Sequence, residues 1–225
     1  MFIYEKSFPR TMSREFCCSL GAELVKKDNI LYESDNFFVV PSIGQIEIEG
    51  YLLLCSKKHF EGVGGSPAAL HSELEETLNH TRLVLTDNYN SEVLAFEHGP
   101  RIGCWRGGGC LDHAHLHLVP IALNLMEPLA LRFLNGLQIK DYYAVERIDE
   151  FGRLSEISEK EESSYLFVET NDSKRYITRV SFTIPSQYLR QIIAHFLKKD
   201  DLWNWKRTPD YETFDRTMTR LSGKF

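Results

Sequence analysis

From His113 to Pro120 the chain reads HAHLHLVP, with an imidazole at every second position and hydrocarbon between. Alternation of period two is strand patterning, because successive side chains leave a strand on opposite faces. His113, His115 and His117 therefore share one face, roughly 6–7 Å apart at ~3.3 Å of rise per residue. Ala114, Leu116 and Leu118 share the other face, toward a core. Three adjacent imidazoles are costly to bury without hydrogen-bond partners, so this face is expected to be functional. Pro120 is expected to end the strand.

The flanking segments supply the rest of a sheet. ILYE and FFVVP, separated by Ser34-Asp35-Asn36, read as two short strands or a hairpin. GYLLLCS reads as a buried strand, and VLAFE as another that leads into a glycine-rich connection from Gly99 to Gly109. Between them EGVGGSP reads as a flexible loop, with Ser66 as N-cap and Pro67 at the first helical position. Leu70, Leu74, Leu78, Val84 and Leu85 then recur at helical spacing as far as about Tyr89. Beyond the triad, 125–134 suggests a helix. YYAVERI, SYLFVET and RYITRVSFTIP suggest strands, with an acidic, turn-like EFGRLSEISEKEES after the first. Helices are expected from Pro185-Ser186-Gln187 onward, carrying Leu189, Ile192, Ile193 and Phe196, and over 210–221. No Ser/Gly-rich linker separates front from back, so the tail is expected to pack on the front.

Composition narrows the partners. Of 225 residues, 26 are Lys or Arg against 32 Asp or Glu, a formal charge of -6, with 43% apolar residues. Such a chain can bury a sizeable core, and its charge opposes gripping extended nucleic acid or an anionic membrane. It does not oppose a small, locally positive site. The five cysteines (17, 18, 55, 104 and 110) form no regular framework and read as reduced thiols. No apolar run approaches the ~20 residues of a membrane span, and the N-terminus lacks secretory features. A soluble cytoplasmic protein is the expectation. Cys17 and Cys18 are adjacent, not spaced C-x2-C, so no zinc site is read there.

Two chemistries suit the imidazoles. Neutral imidazole ligates zinc or iron, and two on one strand face can share an ion. Alternatively, one imidazole attacks phosphorus while another assists the leaving group. Gly107, Gly108 and Gly109 favour phosphate, because glycine backbone N–H groups can turn toward an anion. Asp112 falls on the opposite face and Cys110 lies three residues before His113, so neither completes a metal site neatly.

HAHLHLV resembles the motif of the histidine-triad (HIT) family. ESDNFFVVPSIGQIEIEGYLLLCSKKHF is similar to that family's nucleoside-pocket segment, and LAFEHG to the strand before its phosphate loop. The resemblance covers about 30–121. It implies an α+β fold, a HIT-like antiparallel sheet with flanking helices, plus a C-terminal α+β extension packed on it. The chain divides accordingly into an N-terminal segment 1–29, a nucleotide-binding catalytic domain 30–121 and the extension 122–225.

By the same resemblance His115 attacks the α-phosphate of a nucleotide, plausibly a dinucleoside polyphosphate, to form a nucleotidyl-histidine that water resolves. Transfer to phosphate or a sugar phosphate, or a lapsed nucleotide-binding module, are the alternatives. His117 assists the leaving group and His113 orients His115 through its backbone. Gly108, Gly109 and Cys110 form the phosphate loop, Phe38, Val40 and Ile43 contribute to the base pocket, and Ser42 lies near the ribose. No cofactor or metal is required, with Mg2+ expected only as a companion of a polyphosphate substrate. A homodimer is left open, with no interface identified.

The chain departs from the family pattern. Gly109 and Cys110 stand where a glutamine and a hydroxyl residue are common, and Tyr51 where a further histidine is frequent. His98 reads equally as a replacement contact or a solvated loop residue. Arg101, Arg106, Lys57 and Lys58 could lend positive charge. Each alone reads first as a solvated charge, and Arg106 is the best placed. PSQYLRQIIAHFLKKDDLWNWKR is similar, less specifically, to C-terminal regions of larger HIT-like proteins. Its Ser186, Gln187 and Arg190 could reach over the site. The simpler reading, preferred here, has Ser186 capping the helix, Arg190 solvated, and Trp203 and Trp205 packing the tail.

Overall fold

In the computed structural model, residues 27–100, 113–137, 145–161, 163–170, 173–180 and 184–225 are described. Eight antiparallel strands form one sheet of order β1-β2-β3-β5-β4-β7-β8-β6. The front supplies β1 (Tyr32–Glu33), β2 (Phe37–Pro41), β3 (Leu52–Ser56), β4 (Ser91–Gly99) and β5 (His115–Ala122). The tail supplies β6 (Glu146–Ile148), β7 (Ser164–Glu169) and β8 (Arg175–Val180). β7 pairs directly with β4, Phe96 opposite Val168 and His98 opposite Leu166. The extension thus continues the sheet as well as packing on it, in an α+β fold.

Register divides the core in two. Directly paired residues share a face, so Leu53 opposite His117 and Cys55 opposite His115 place the triad with Phe38, Val40, Tyr51, Leu94 and Phe96. This triad face is covered by tail helices: α2 (Leu123–Leu137) through Met126, Leu129 and Phe133, and α4 (Tyr188–Phe196) through Leu189, Ile193 and Ala194. The opposite face carries Val39, Leu52, Leu54, Val93, Ala95, Leu116 and Leu118, packed against Leu74, Leu78 and Leu85 of α1 (His71–Tyr89). Glu73 of α1 accepts hydrogen bonds from Ser34 Oγ, Asn36 N and Asn36 Nδ2, each 2.6 Å, which fixes the β1–β2 turn to the helix. Asn90 ends α1 in the left-handed region (φ 46°), which asparagine tolerates. Asp210 caps α5 (Tyr211–Leu221) by accepting from Thr213 N at 3.1 Å.

Several expectations are corrected. β5 runs through Pro120 to Ala122. Pairing with β3 ends at Leu118, so Pro120 adjoins a ladder on the β4 side only, where proline is tolerated. EGVGGSP is not a free loop: Val63–Gly65 is a 3-10 turn with Val63 and Gly64 buried. A Cβ on Gly64 would sit 2.7 Å from the Leu154 carbonyl oxygen, so only glycine fits. Ser66 Oγ donates back to Val63 O at 2.6 Å and does not cap the helix. The acidic stretch is helical, α3 (Gly152–Ser155) followed by a wide turn over Glu156–Lys160. Phe151, Leu154 and Ile157 bury one side, and Arg153 gathers Glu146, Glu156 and Glu161 on the other.

Candidate active site

The three imidazoles are 1%, 7% and 4% exposed at His113, His115 and His117, so each ring needs partners. Their bonds fix the tautomers. His115 Nδ1 lies 2.7 Å from the carbonyl oxygen of His113, which can only accept, so Nδ1 carries the proton. The lone pair of His115 is therefore at Nε2, 3.2 Å from His117 Nε2, which must then be the donor. His117 Nδ1 is left to accept from the Tyr51 hydroxyl at 2.9 Å. The result is a continuous wire from the Tyr51 O–H through His117 and His115 to the backbone of His113. His113 stands outside it, its Nε2 donating to Ser56 O at 2.6 Å.

Packing holds this wire in place. His117 stacks on Phe96, centroids 4.5 Å apart at 11°. His98 stands edge-on to His117 at 6.2 Å and its Nε2 accepts from Leu189 N at 2.9 Å. Burial is the main cause that lowers His115 to about 4 and His98 to about 3, and it holds His117 well below the ordinary imidazole value. The Arg190 charge pushes all three in the same direction. All three imidazoles are held below the ordinary value, so the His115 Nε2 pair is unprotonated at pH 7; it accepts from His117 and becomes available as a nucleophile once that contact opens.

Of the residues named from sequence, Phe38, Val40 and Ile43 join His98 and the triad on the same buried face. Ser42 is buried beside them, its Oγ accepting from Gly44 N at 3.2 Å. Gly108, Gly109, Cys110, Arg101, Arg106 and the Cys17-Cys18 pair lie outside the described residues. Lys57 pairs with Glu33 at 2.6 Å, and exposed Lys58 lies over the Phe60 ring. Among the described residues no group of three or more His, Cys, Asp and Glu is arranged to hold a metal ion.

The reading of the tail's polar residues is overturned. Ser186 is exposed and caps nothing, and α4 begins after Gln187, which sits in the left-handed region (φ 57°). Arg190 is not solvated but 1% exposed. Its Nε donates to Trp203 O at 2.9 Å and its Nη2 to Gly44 O at 2.8 Å. Its Cζ lies 5.2 Å above the Tyr51 ring. Trp203 and Trp205 do pack on the triad-face core. Arg190, for which the solvated reading was preferred over reaching the site, and Tyr51, read only as a departure from the family pattern, thus both lie beside the triad. Gly44 makes room for Arg190, because a Cβ there would come within 2.5 Å of the guanidinium and 2.4 Å of Trp205 Cβ.

One antiparallel sheet carries His115 and His117 on a central strand, joined in a hydrogen-bond wire, with His113 in the bend just before that strand. Solved structures of histidine-triad proteins are among those the chain resembles. A hypothetical histidine triad nucleotide-binding protein from Sulfolobus tokodaii shares 20% identity over 42% of this chain and 60% of its own, at a TM-score of 0.36. A HIT family protein from Bacillus anthracis shares 17% over 42% of this chain and 64% of its own, also at 0.36. Yeast Ap4A phosphorylase shares 12% over 85% of this chain and 76% of its own, at 0.40. The chain spans about three fifths of the length of the Sulfolobus protein. No protein-family model matches the chain, and no curated protein sequence matches it.

Proposed function

We propose that the chain is a histidine-triad nucleotide hydrolase that cleaves a phosphoanhydride or related bond at the α-phosphate, plausibly of a dinucleoside polyphosphate, through a nucleotidyl-His115. The observation that carries this reading is the wire. His115 is neutral, its proton is committed to the His113 carbonyl, and its lone pair is placed where His117 now touches it. A substrate phosphorus entering between the two rings would meet a nucleophile on one side and an N–H donor on the other.

Attack by Nε2 forms the N–P bond and expels the leaving oxygen, which takes the bond's electron pair. His117 Nε2–H hydrogen-bonds that oxygen, and the Tyr51 hydroxyl behind it keeps the ring in the donating tautomer. The positive charge that develops on His115 is stabilised through Nδ1–H by the His113 carbonyl. Water then attacks phosphorus, the electron pair returns to Nε2, and the proton of the water leaves with the products. Phe38, Val40 and Ile43 would form the base pocket, with Ser42 near the ribose. Gly108, Gly109, Cys110 and Arg106 would hold phosphate, and Mg2+ would enter only with a polyphosphate. The setting is proposed as cytoplasmic, in keeping with the reduced state of the buried Cys55 thiol.

The test is turnover of diadenosine polyphosphates with product analysis. His115→Ala is expected to fold normally and lose at least about a thousandfold in kcat. Wild-type rates in that variant would end the proposal. Added phosphate that diverts the nucleotidyl product from monophosphate to diphosphate would identify the alternative acceptor.

A further inference from the structure

Arg190 is a buried cation. Among the described residues no carboxylate forms an ion pair with it, and its Nη1 is buried with no hydrogen-bond partner. Two backbone carbonyls hold the other side of the guanidinium, and Gly44 lacks the Cβ that would displace it. Burying an uncompensated charge is costly, so a protein retains one chiefly where an anion visits. Guanidinium has only donors, so whatever completes Nη1 is an acceptor. The oxyanions of phosphate suit its planar fork.

Its position selects one side of the triad. Arg190 lies over Tyr51, whose hydroxyl bonds His117, and the preceding residue on α4 bonds His98. His113, by contrast, is committed to Ser56. We infer that Arg190 receives a phosphate oxyanion on the His117 side of the triad, where the leaving group of the reaction resides. Microscopic reversibility makes that position also the entry point for an attacking phosphate. The side assignment rests on the proposed role of His115, whereas the anion site stands on the Arg190 geometry alone.

Titration of inorganic phosphate into the full chain by calorimetry tests the site, in a His115→Asn background that blocks chemistry. Arg190→Met is expected to weaken binding about ten- to a hundredfold, the range for a charge-assisted hydrogen bond. Arg190→Lys, which keeps the charge and loses the fork, is expected to weaken it several-fold. Unchanged phosphate affinity in a folded Arg190→Met protein would overturn the inference and leave Arg190 as a tether between α4 and the Gly44 turn. If that variant does not fold, unchanged affinity in Arg190→Lys overturns it equally. Two kinetic arms in the His115 protein separate the sources of phosphate. Slower adduct formation in Arg190→Lys, with unchanged hydrolysis of the adduct, assigns a leaving-group phosphate. Loss of saturable, phosphate-driven release of nucleoside diphosphate assigns an acceptor phosphate. Failure to form any adduct would defeat the covalent reading, while the calorimetry would still decide the anion site.

Discussion

The two faces of the sheet treat buried charge in opposite ways. On the face away from the triad, Arg82 and Arg175 both pair with the fully buried Glu169, and Arg175 also reaches Glu75 of α1. Glu97 on that face accepts from the Tyr165 hydroxyl at 2.5 Å and from Val63 N at 2.7 Å. Each charged group there has protein partners, and the network joins α1 to the tail strands β7 and β8. On the triad face the buried groups are neutral imidazoles and one guanidinium, Arg190, with which no carboxylate among the described residues forms an ion pair; an unfilled nitrogen by itself does not separate the faces, because Arg82 Nε also lacks a hydrogen-bond partner. The same chain knows how to neutralise a buried arginine and does so where the role is structural. Where it does not, at Arg190, the partner we infer is the phosphate of a ligand.

Breaking the paired network should show the larger effect. Glu169→Gln leaves Arg82 without its counter-charge and Arg175 with Glu75 alone, and is expected to cost about 3–5 kcal/mol of stability, read by urea unfolding. Arg190→Met removes a charge that is already uncompensated, and in phosphate-free buffer it should cost well under that. Equal losses from the two substitutions would erase the distinction between the faces.

Acidity sharpens the comparison, because the two faces respond to pH with opposite sign. Burial raises the Glu97 carboxyl from 4.5 to about 7, against the lowering effect of its hydrogen bonds. The folded state therefore holds that proton more tightly than the unfolded one. Its stabilisation is complete below about pH 4.5 and is lost as pH rises through about 7, on the order of 3 kcal/mol at about 1.4 kcal/mol per pKa unit. The imidazoles of His98, His115 and His117 are depressed below 6.5. There the unfolded chain takes up protons first, so stability falls as pH drops from about 6.5 toward 4. Thermal melts of Glu97→Gln between pH 4 and 8 are expected to show only the histidine trend, with stability climbing up to about pH 6.5 and then level. A pH profile unchanged from wild type would contradict this assignment.

What was legible in the sequence follows from how local each signal is. β5, the β1–β2 hairpin, α1 and α4 all repeat at the period of one element, and each is readable from a dozen residues, although the strand expected from His113 begins only at His115, with His113 in the bend before it. The fold class followed from assembling them. The continuation of β5 past Pro120 was not readable, because it depends on where β3 stops pairing, nearly seventy residues upstream in the chain. Phe151, Leu154 and Ile157 carried a helical period that the surrounding acids obscured until Arg153 was seen to gather them. Arg190 was misread because its burial is set by Gly44 and Trp203, partners that no local pattern connects. Likewise, a tyrosine in place of a frequent histidine at position 51 looked like a lost contact. The fold makes it the donor that fixes the tautomer of His117.

The central claim is that His115 carries the nucleotidyl group during turnover. Its most direct test is rapid quenching of the wild-type protein with an α-labelled dinucleoside polyphosphate, followed by mapping of the labelled peptide. The account predicts label on the peptide containing His115, stable to base and lost in acid as a phosphoramidate should be, and absent from His115→Ala. Steady turnover with no protein-bound label, or the same label in His115→Ala, would contradict it.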